Sequence, residues 1–262
     1  MSETRIDRAG LSLYREFHAR EQFSLMAEPD SPSDIEEAYS VQDAYMALKA
    51  EDSGGYAGYK IAYTTRVMQE RIGAEEPVYG RILSDSVFES PSTIQASDYV
   101  NVGVECEVAV TLGKDLLVSE APFTREAVFE SVQHISLAFE LIDSRPFAGR
   151  ASIIQAIATN ISGAGIVLGK PVENWRNMDI PSSICELELD GELVGTAKGA
   201  DVNGHPVEPM VWIANSVSSR GKSLHKGDVI ITGSMIAPTF LETGTTAVVN
   251  MDNLGSVVLK VE

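Results

Sequence analysis

Hydrophobic and polar positions recur with a helical period over the first fifty residues. Ile6, Leu13 and Phe17 mark the apolar face of a first helix, and Ser33-Asp34-Ile35-Glu36 has the pattern of a capping box that opens a second. Gly54-Gly55 is expected to end the second helix, because glycine readily adopts the backbone angles found at helix ends. The chain is therefore predicted to begin with a helical region.

The pattern changes after these glycines. Residues 56–62 read as a strand that carries Lys60, residues 67–72 as a short helix closed by Gly73, and Pro77-Val78-Tyr79-Gly80 as the start of another extended segment. We predict a helical N-terminal lobe over residues 1–75 and a β-rich catalytic domain over residues 76–262. No Pro/Ser-rich linker separates them, so we expect one cooperative unit.

Downstream, apolar and polar residues alternate in short runs that are typical of strands. Asp190-Gly191 lies between two such runs and predicts a hairpin with a type I′ turn. One helix is predicted over residues 206–219, ending at Gly221. The predicted strands cover residues 100–112, 135–142, 165–168, 184–189, 192–196, 228–232, 246–251 and 256–261.

Composition limits the protein class. With 262 residues, 44% of them hydrophobic, the chain can bury a substantial core. No apolar run is long enough to span a bilayer, and Met1-Ser2-Glu3-Thr4-Arg5 does not begin a signal peptide, so we expect a soluble cytoplasmic protein. Cys106 and Cys185 lack metal-motif spacing and are expected to be reduced and buried.

The formal net charge of −18 argues against binding to nucleic acid or to anionic membranes. A substrate that is itself a carboxylate would be repelled by this negative charge, so the protein would need a local cation to hold it. A bound metal together with Lys60 or Arg145 would supply one.

Three carboxylates interrupt otherwise apolar segments. Glu105 and Glu107 are two residues apart in a predicted strand and therefore share a face, while Cys106 points the other way. Glu140 interrupts the apolar run 135–142. Carboxylate oxygens are the ligands that Mg2+ and Mn2+ prefer. The alternation is also typical of an ordinary half-exposed strand in an acidic chain, so the spacing leaves both interpretations open.

Other candidate side chains each have an ordinary structural interpretation. Lys60 could be an edge-strand lysine that extends to water, and Arg145 could be the counter-ion of Asp143. His205 precedes a predicted helix in a small loop, where a histidine is often incidental. The Ser162-Gly163-Ala164-Gly165 segment resembles a tight turn more than a phosphate-binding loop.

Taken together, these segments resemble the fumarylacetoacetate hydrolase superfamily, in particular its branch of 2-hydroxypentadienoate (2-keto-4-pentenoate) hydratases and 4-oxalocrotonate decarboxylases. The motifs that carry the resemblance are Gly58-Tyr59-Lys60-Ile61 with Thr64, Met68-Gln69, Gly73, Glu76-Pro77-Val78-Tyr79-Gly80, Glu105-Cys106-Glu107, Glu140-Leu141-Ile142-Asp143-Ser144-Arg145, Gly204-His205-Pro206, Trp212-Ile213-Ala214-Asn215, Leu224 with Gly227-Asp228, Thr232-Gly233-Ser234 and Leu254-Gly255-Ser256.

The resemblance implies an α+β fold, a β-rich mixed roll or sandwich with a helical N-terminal lobe over the site. It implies homo-oligomeric assembly and Mg2+ or Mn2+ bound by Glu105, Glu107 and Glu140. The implied substrate contacts are Arg145, Ser162, His205 and Thr64.

The implied substrates are small 2-oxo or 2-hydroxydienoic acids from the meta-cleavage of aromatic rings. Such an acid can chelate a metal through its carboxylate and keto oxygens, so that the metal stabilises an enolate. Lys60 is the implied catalytic residue, as proton donor or electrostatic partner. A hydratase reaction is the leading expectation, and decarboxylation of an oxalocrotonate-like diacid through the same enolate is the alternative.

A diacid would need a further cationic contact, for which Arg66, Arg81 and Arg145 are candidates. Hydrolysis of an acylpyruvate or β-diketone C–C bond is less expected, because His18 and Glu21 do not match the His/Glu pair that such enzymes use.

The chain departs from the resemblance at one position. Where many members of this branch have Asp-Asn-Ala-Ser, this chain has Thr159-Asn160-Ile161-Ser162, which removes an acidic group. A catalytically silent subunit in complex with a partner hydratase or decarboxylase is therefore a further alternative. Retention of Lys60 and the three glutamates argues against it.

Overall fold

The computed structural model describes residues 4–24, 29–145 and 152–262. Residues 1–3, on which the predicted absence of a signal peptide partly depends, lie outside these ranges. Among the described helices, none combines the length and the apolar character that a bilayer span requires.

Six α-helices and thirteen strands are described within these ranges. The helices are α1 (Arg5–His18), α2 (Ile35–Asp52), α3 (Arg66–Ile72), α4 (Arg125–Ser131), α5 (Ile153–Ala158) and α6 (Pro209–Ser219). The strands are β1 (Tyr56–Ala62), β2 (Val78–Leu83), β3 (Val87–Glu89), β4 (Ser92–Ile94), β5 (Val102–Leu112), β6 (Val132–Asp143), β7 (Gly163–Leu168), β8 (Ile184–Leu189), β9 (Glu192–Lys198), β10 (Val229–Ile231), β11 (Ile236–Phe240), β12 (Thr246–Met251) and β13 (Gly255–Val261).

The strands form two mixed sheets. The larger has the order β2-β1-β10-β5-β6-β7-β3, with β11 also paired to β5, and the smaller has the order β4-β13-β12-β8-β9. β1 lies within the larger sheet, parallel to β10 and antiparallel to β2. The first strand of the predicted N-terminal lobe is thus hydrogen-bonded to the β-rich part of the chain.

Strand register decides which side chains share a face of the larger sheet. Directly opposed residues point to the same side, and the pairs Lys60↔Ile231, Ile231↔Ala109 and Glu105↔Glu140 are directly opposed. A small apolar cluster of Ile82, Ala109, Ala138, Ile166 and Ile231 lies on this face. The charged side chains therefore project from the same face as this cluster, away from the main core.

Helix α2 attaches the helical region to the large sheet. Tyr39, Val41, Tyr45 and Met46 are buried on it, and they belong to the main core. The buried Gln42 side chain donates from Nε2 to the carbonyls of Tyr79, at 3.1 Å, and Ile157, at 2.8 Å. These contacts join the helical region to the large sheet and to helix α5.

The predicted elements are confirmed with small changes. The second helix is capped by Asp34, whose side chain accepts from the Glu37 amide, and Ser33 lies before the cap. The last helix begins at Pro209, because a hydrogen bond from the Glu208 amide to the His205 carbonyl closes a turn before it. The Asp190-Gly191 turn has positive φ at both residues, as type I′ requires.

The sequence did not predict α4, α5, β3, β4 and β11. These elements are three to seven residues long. Such segments are too short for a hydrophobic period to stand out from irregular structure. Their conformations depend on tertiary packing.

Candidate metal centre and active site

Glu105, Glu107 and Glu140 come together on one face of the large sheet. Glu105 and Glu107 alternate along β5, and Glu140 lies opposite Glu105 on β6. One carboxylate oxygen from each residue lies within 4.8 Å of those of the other two. The geometry brings the three predicted ligands close enough for a single divalent cation.

The electrostatics of this cluster also suit a cation. Burial raises the pKa of Glu107 well above its ordinary value, and the charges of Glu140 and Glu105 add to the effect. Burial and the charge of Glu140 raise the pKa of Glu105 to about 8. The Gly233 amide donates to Glu107 Oε2 at 2.7 Å. An all-oxygen, mutually repelling donor set of this kind fits Mg2+ or Mn2+.

Lys60 is the cation beside these carboxylates. Its side chain is 3% exposed, which makes the edge-strand alternative wrong. Its ammonium donates to Glu140 Oε1 and, at 2.8 Å, to the Ile161 carbonyl. Burial alone would lower the pKa of Lys60, but the neighbouring charges of Glu140 and Glu105 raise it above its ordinary value. The ion pair with Glu140 thus offsets the cost of burying the Lys60 ammonium.

The carbonyl that contacts Lys60 belongs to an unusual turn. Asn160, Ile161 and Ser162 have φ values of 59°, 51° and 57°, so three consecutive residues other than glycine are left-handed. A β-branched residue such as Ile161 rarely adopts this conformation. The tertiary contacts of the turn outweigh the backbone preference.

A cavity of about 480 Å3 is bordered by two of the three carboxylates, Glu105 and Glu107. Lys60, Thr64 and Ser162 also line it. The Thr64 and Ser162 hydroxyls form no hydrogen bond with other residues in the described ranges. Elsewhere the wall is largely apolar and includes Met68, Ile72, Ile142, Ala156 and Pro238.

Arg145 lines this cavity but is engaged by the protein. Its Nε donates to Asp143 Oδ2 at 2.7 Å, and an Nη donates to the Phe17 carbonyl at 2.9 Å. Asp143 also accepts from the Val100 and Asn101 amides. Arg145 thus joins the end of β6 to helix α1. It is the counter-ion of Asp143, as one of the two interpretations of the sequence had it.

The structure does not bring His205 to this cavity. Its Nδ1 accepts from the Val207 amide at 3.1 Å, and its ring packs against those of Phe129 and Trp175. Burial lowers the pKa of His205. Through these contacts His205 stabilises the turn before α6.

The other arginines considered for a second carboxylate lie elsewhere. Arg66 is exposed on α3 and pairs with Glu70. Arg81 stacks over the rings of Tyr56 and Tyr59 and lines a separate cavity of about 340 Å3, which Lys60 and Glu140 also border.

Thr159, where an acid was expected, ends helix α5. Its hydroxyl donates within the helix, to the Gln155 carbonyl at 3.0 Å. Thr159 lines the larger cavity but supplies no charge there.

Cys106 and Cys185 are both free and buried, as predicted. Cys106 lies between Glu105 and Glu107 in β5 and points to the opposite face. A catalytic thiol at the carboxylates is therefore excluded for Cys106.

Sequence reasoning missed the backbone groups of the site. The Ile161 carbonyl and the Gly233 amide contact Lys60 and Glu107 directly. Backbone groups carry no residue-specific signal. The one weak indication was Asn160, since asparagine tolerates left-handed backbone better than most residues.

Comparisons with known proteins identify the family of this chain. The family model described as "Fumarylacetoacetate (FAA) hydrolase C-terminal" matches residues 59–262. A 2-keto-4-pentenoate hydratase of Paraburkholderia xenovorans (strain LB400) is 27% identical over 257 residues, which cover 98% of this chain and 95% of that protein. A 4-oxalocrotonate decarboxylase of a Pseudomonas species is 30% identical over 230 residues, covering 87% of each chain.

The fold has a close counterpart among solved structures. The 4-oxalocrotonate decarboxylase from Pseudomonas putida G7, complexed with magnesium and adipate, matches with a TM-score of 0.88 and 20% identity. The match covers 100% of this chain and 99% of that chain. The α+β fold expected from the resemblance is thereby confirmed.

Proposed function

Because the chain belongs to the fumarylacetoacetate hydrolase family, we propose that it is a metal-dependent hydro-lyase that adds water to a 2-hydroxydienoate or 2-oxoenoate. The observation that carries the proposal is the buried Lys60 ammonium beside three converging carboxylates, two of which line a cavity with it. Its curated relatives include a 2-keto-4-pentenoate hydratase over nearly the whole chain.

Glu105, Glu107 and Glu140 would hold Mg2+ or Mn2+. When bound, the cation supplies Lewis-acid stabilisation of the negative charge that develops on a 2-oxo acid. The magnesium complex of the decarboxylase of similar fold supports this assignment.

Lys60 would carry the proton of the reaction. Its Nζ has three N–H groups, and the Glu140 carboxylate and the Ile161 carbonyl use two of them. The third would donate toward the substrate in the cavity that Lys60 lines. The Thr64 and Ser162 hydroxyls would orient the substrate carboxylate, each by donating one hydrogen bond.

The charges of the cavity favour a substrate with one carboxylate. Among its described lining residues the cations are Lys60 and Arg145, and each is already paired with a carboxylate of the protein. A second substrate carboxylate would meet no unpaired cation among the described lining residues and would lose part of its hydration without a compensating charge. A dienoate with a short apolar tail fits better.

Decarboxylation of an oxalocrotonate-like diacid is the second candidate. It is supported by the relative with 30% identity and by the fold match. The same residues would serve, with carbon dioxide leaving in place of water addition.

Turnover of 2-hydroxypenta-2,4-dienoate and of 4-oxalocrotonate tests the proposal. Absorbance loss and carbon dioxide release are followed with Mg2+, with Mn2+ and with EDTA. We expect metal-dependent loss of the dienoate without carbon dioxide. Carbon dioxide from oxalocrotonate would favour the second candidate, and no turnover of either would contradict both.

A further inference from the structure

Asn160 closes a ring of two hydrogen bonds with one residue of β2. Its Oδ1 accepts from the Arg81 amide at 2.7 Å, and its Nδ2 donates to the Arg81 carbonyl at 3.0 Å. β2 is an edge strand of the large sheet, so Asn160 occupies backbone groups that a further strand would otherwise pair. Asn160 is 2% exposed, and both polar atoms of its side chain are used. It is therefore not a substrate contact.

This ring fixes the start of the left-handed turn. Asn160, Ile161 and Ser162 are consecutive, so anchoring Asn160 to β2 sets the direction of the Ile161 carbonyl. That carbonyl accepts from Lys60 Nζ at 2.8 Å. Without an anchor, Ile161 would be expected to leave a backbone region that β-branched residues disfavour.

Two glycines make room for this arrangement. A Cβ on Gly80 would lie 2.7 Å from Asn160 Oδ1 and 3.1 Å from Lys60 Cγ. A Cβ on Gly163 would lie 3.0 Å from Lys60 Cδ and 3.2 Å from Asn160 Nδ2. The lysine stem and the carboxamide are thus packed between the same backbone segments, which couples their positions.

We propose that Asn160 is a positioning residue for Lys60. It holds the left-handed backbone of Ile161, whose carbonyl accepts from Lys60, and it does not contact the substrate. The inference rests on the proposed function, since it assumes that Lys60 carries the proton. It adds a residue whose own atoms touch neither the carboxylates nor the cavity.

The test is Asn160→Gly in the full-length protein, because glycine tolerates the left-handed backbone and removes only the carboxamide. We expect kcat on 2-hydroxypenta-2,4-dienoate to fall about 10- to 100-fold, as for other residues that orient a catalytic group. KM and the Kd for Mn2+ are expected to stay within about threefold, since the carboxylates and cavity hydroxyls are untouched.

Asn215→Ala is the matched control. Asn215 forms the same ring with a single backbone residue, accepting from the Phe123 amide at 2.8 Å and donating to its carbonyl at 3.1 Å, on α6. Its loss should lower Tm without lowering kcat. Asn160→Asp keeps the acceptor for the Arg81 amide but places a second carboxylate oxygen against the Arg81 carbonyl, so it is expected to lose about as much kcat as Asn160→Gly.

Two results would overturn the proposal. One is a kcat for Asn160→Gly within twofold of wild type. The other is a crystal structure of that variant in which the Lys60–Ile161 contact is unchanged. The crystal structure needs no turnover, so it separates failure of this inference from failure of the proposed function, which is decided by wild-type activity alone.

Discussion

Glu107 tests the metal site most directly at the scale of a single residue. Its side chain is buried, and its Oε2 accepts from the Gly233 amide. Glu107→Gln keeps the shape but removes a charge, so we expect loss of Mn2+ binding in calorimetry and loss of turnover. Glu188→Gln, in β8 of the other sheet, is the matched control. Mn2+ binding by Glu107→Gln at wild-type affinity would contradict the assignment.

Lys60→Met separates proton transfer from metal binding. The substitution keeps most of the length of the side chain and removes its N–H groups, so we expect kcat to fall at least about 100-fold, which is typical of losing a general acid. Mn2+ binding should remain, because the carboxylates are intact. Lys260→Met, on an exposed position of β13, should change neither property. Retained turnover in Lys60→Met would exclude Lys60 as the proton carrier.

The Lys60 variant should also reveal the electrostatic role of the ammonium. Without it, Glu140 loses its paired cation in a buried site, and breaking a buried pair commonly costs about 3–5 kcal/mol. We therefore expect the Tm of Lys60→Met to be lowered mainly in EDTA and to recover partly in Mn2+.

At the scale of elements, the pairing of β1 with β10 depends on Gly58. Its φ is +155°, and a Cβ there would lie 1.9 Å from the Val229 carbonyl oxygen. Gly58→Ala should force the two strands apart and destabilise the protein by at least about 1–3 kcal/mol. Because β1 carries Lys60, kcat should fall as well.

Urea unfolding and kcat measure these effects. Gly54→Ala is the control, since it also has positive φ but a Cβ there meets nothing within 4 Å. It should cost about 1–2 kcal/mol from backbone strain alone. Equal destabilisation of the two variants, with kcat unchanged, would show that the close approach of β1 and β10 is not required.

At the scale of the whole molecule, metal-free stability should depend on pH through the carboxylate cluster. The folded pKa of Glu105 is raised to about 8 and that of Glu107 is also raised, both from an ordinary value of 4.5. Between these values the native state binds more protons than the unfolded state, so the free energy of unfolding falls as pH rises. Metal binding should reverse this trend, because the cation stabilises the charged carboxylates.

Thermal unfolding in EDTA and in saturating Mn2+ at pH 5.5, 6.5 and 8 checks this expectation. The net charge of −18 also lowers stability as pH rises, so Glu107→Gln serves as the reference with nearly the same overall charge. In EDTA, the Tm of the wild type should fall more between pH 5.5 and pH 8 than the Tm of this variant. Parallel curves for the two proteins would contradict the raised pKa of Glu107.

Some features of this protein were determined by the sequence alone. Period-two alternation fixes the face of a strand on which a residue lies, so the side-by-side placement of Glu105 and Glu107 and the opposite direction of Cys106 could be predicted. Helix ends at Gly54-Gly55 and Gly73 and the turn at Asp190-Gly191 were equally local, because glycine and aspartate act on the backbone at their own positions.

Other features were decided only by the tertiary structure. Sheet order places β10 between β1 and β5, and register sets Glu140 opposite Glu105, so long-range pairing brings Lys60 and Glu140 into contact. Tertiary structure also decided the hydrogen bond between Asn160 and the Arg81 backbone and the ion pair between Arg145 and Asp143. It placed His205 against Trp175, away from the site. Local sequence specifies the direction of a side chain within its own element. Which elements become neighbours depends on burying apolar faces and pairing strands across the whole chain.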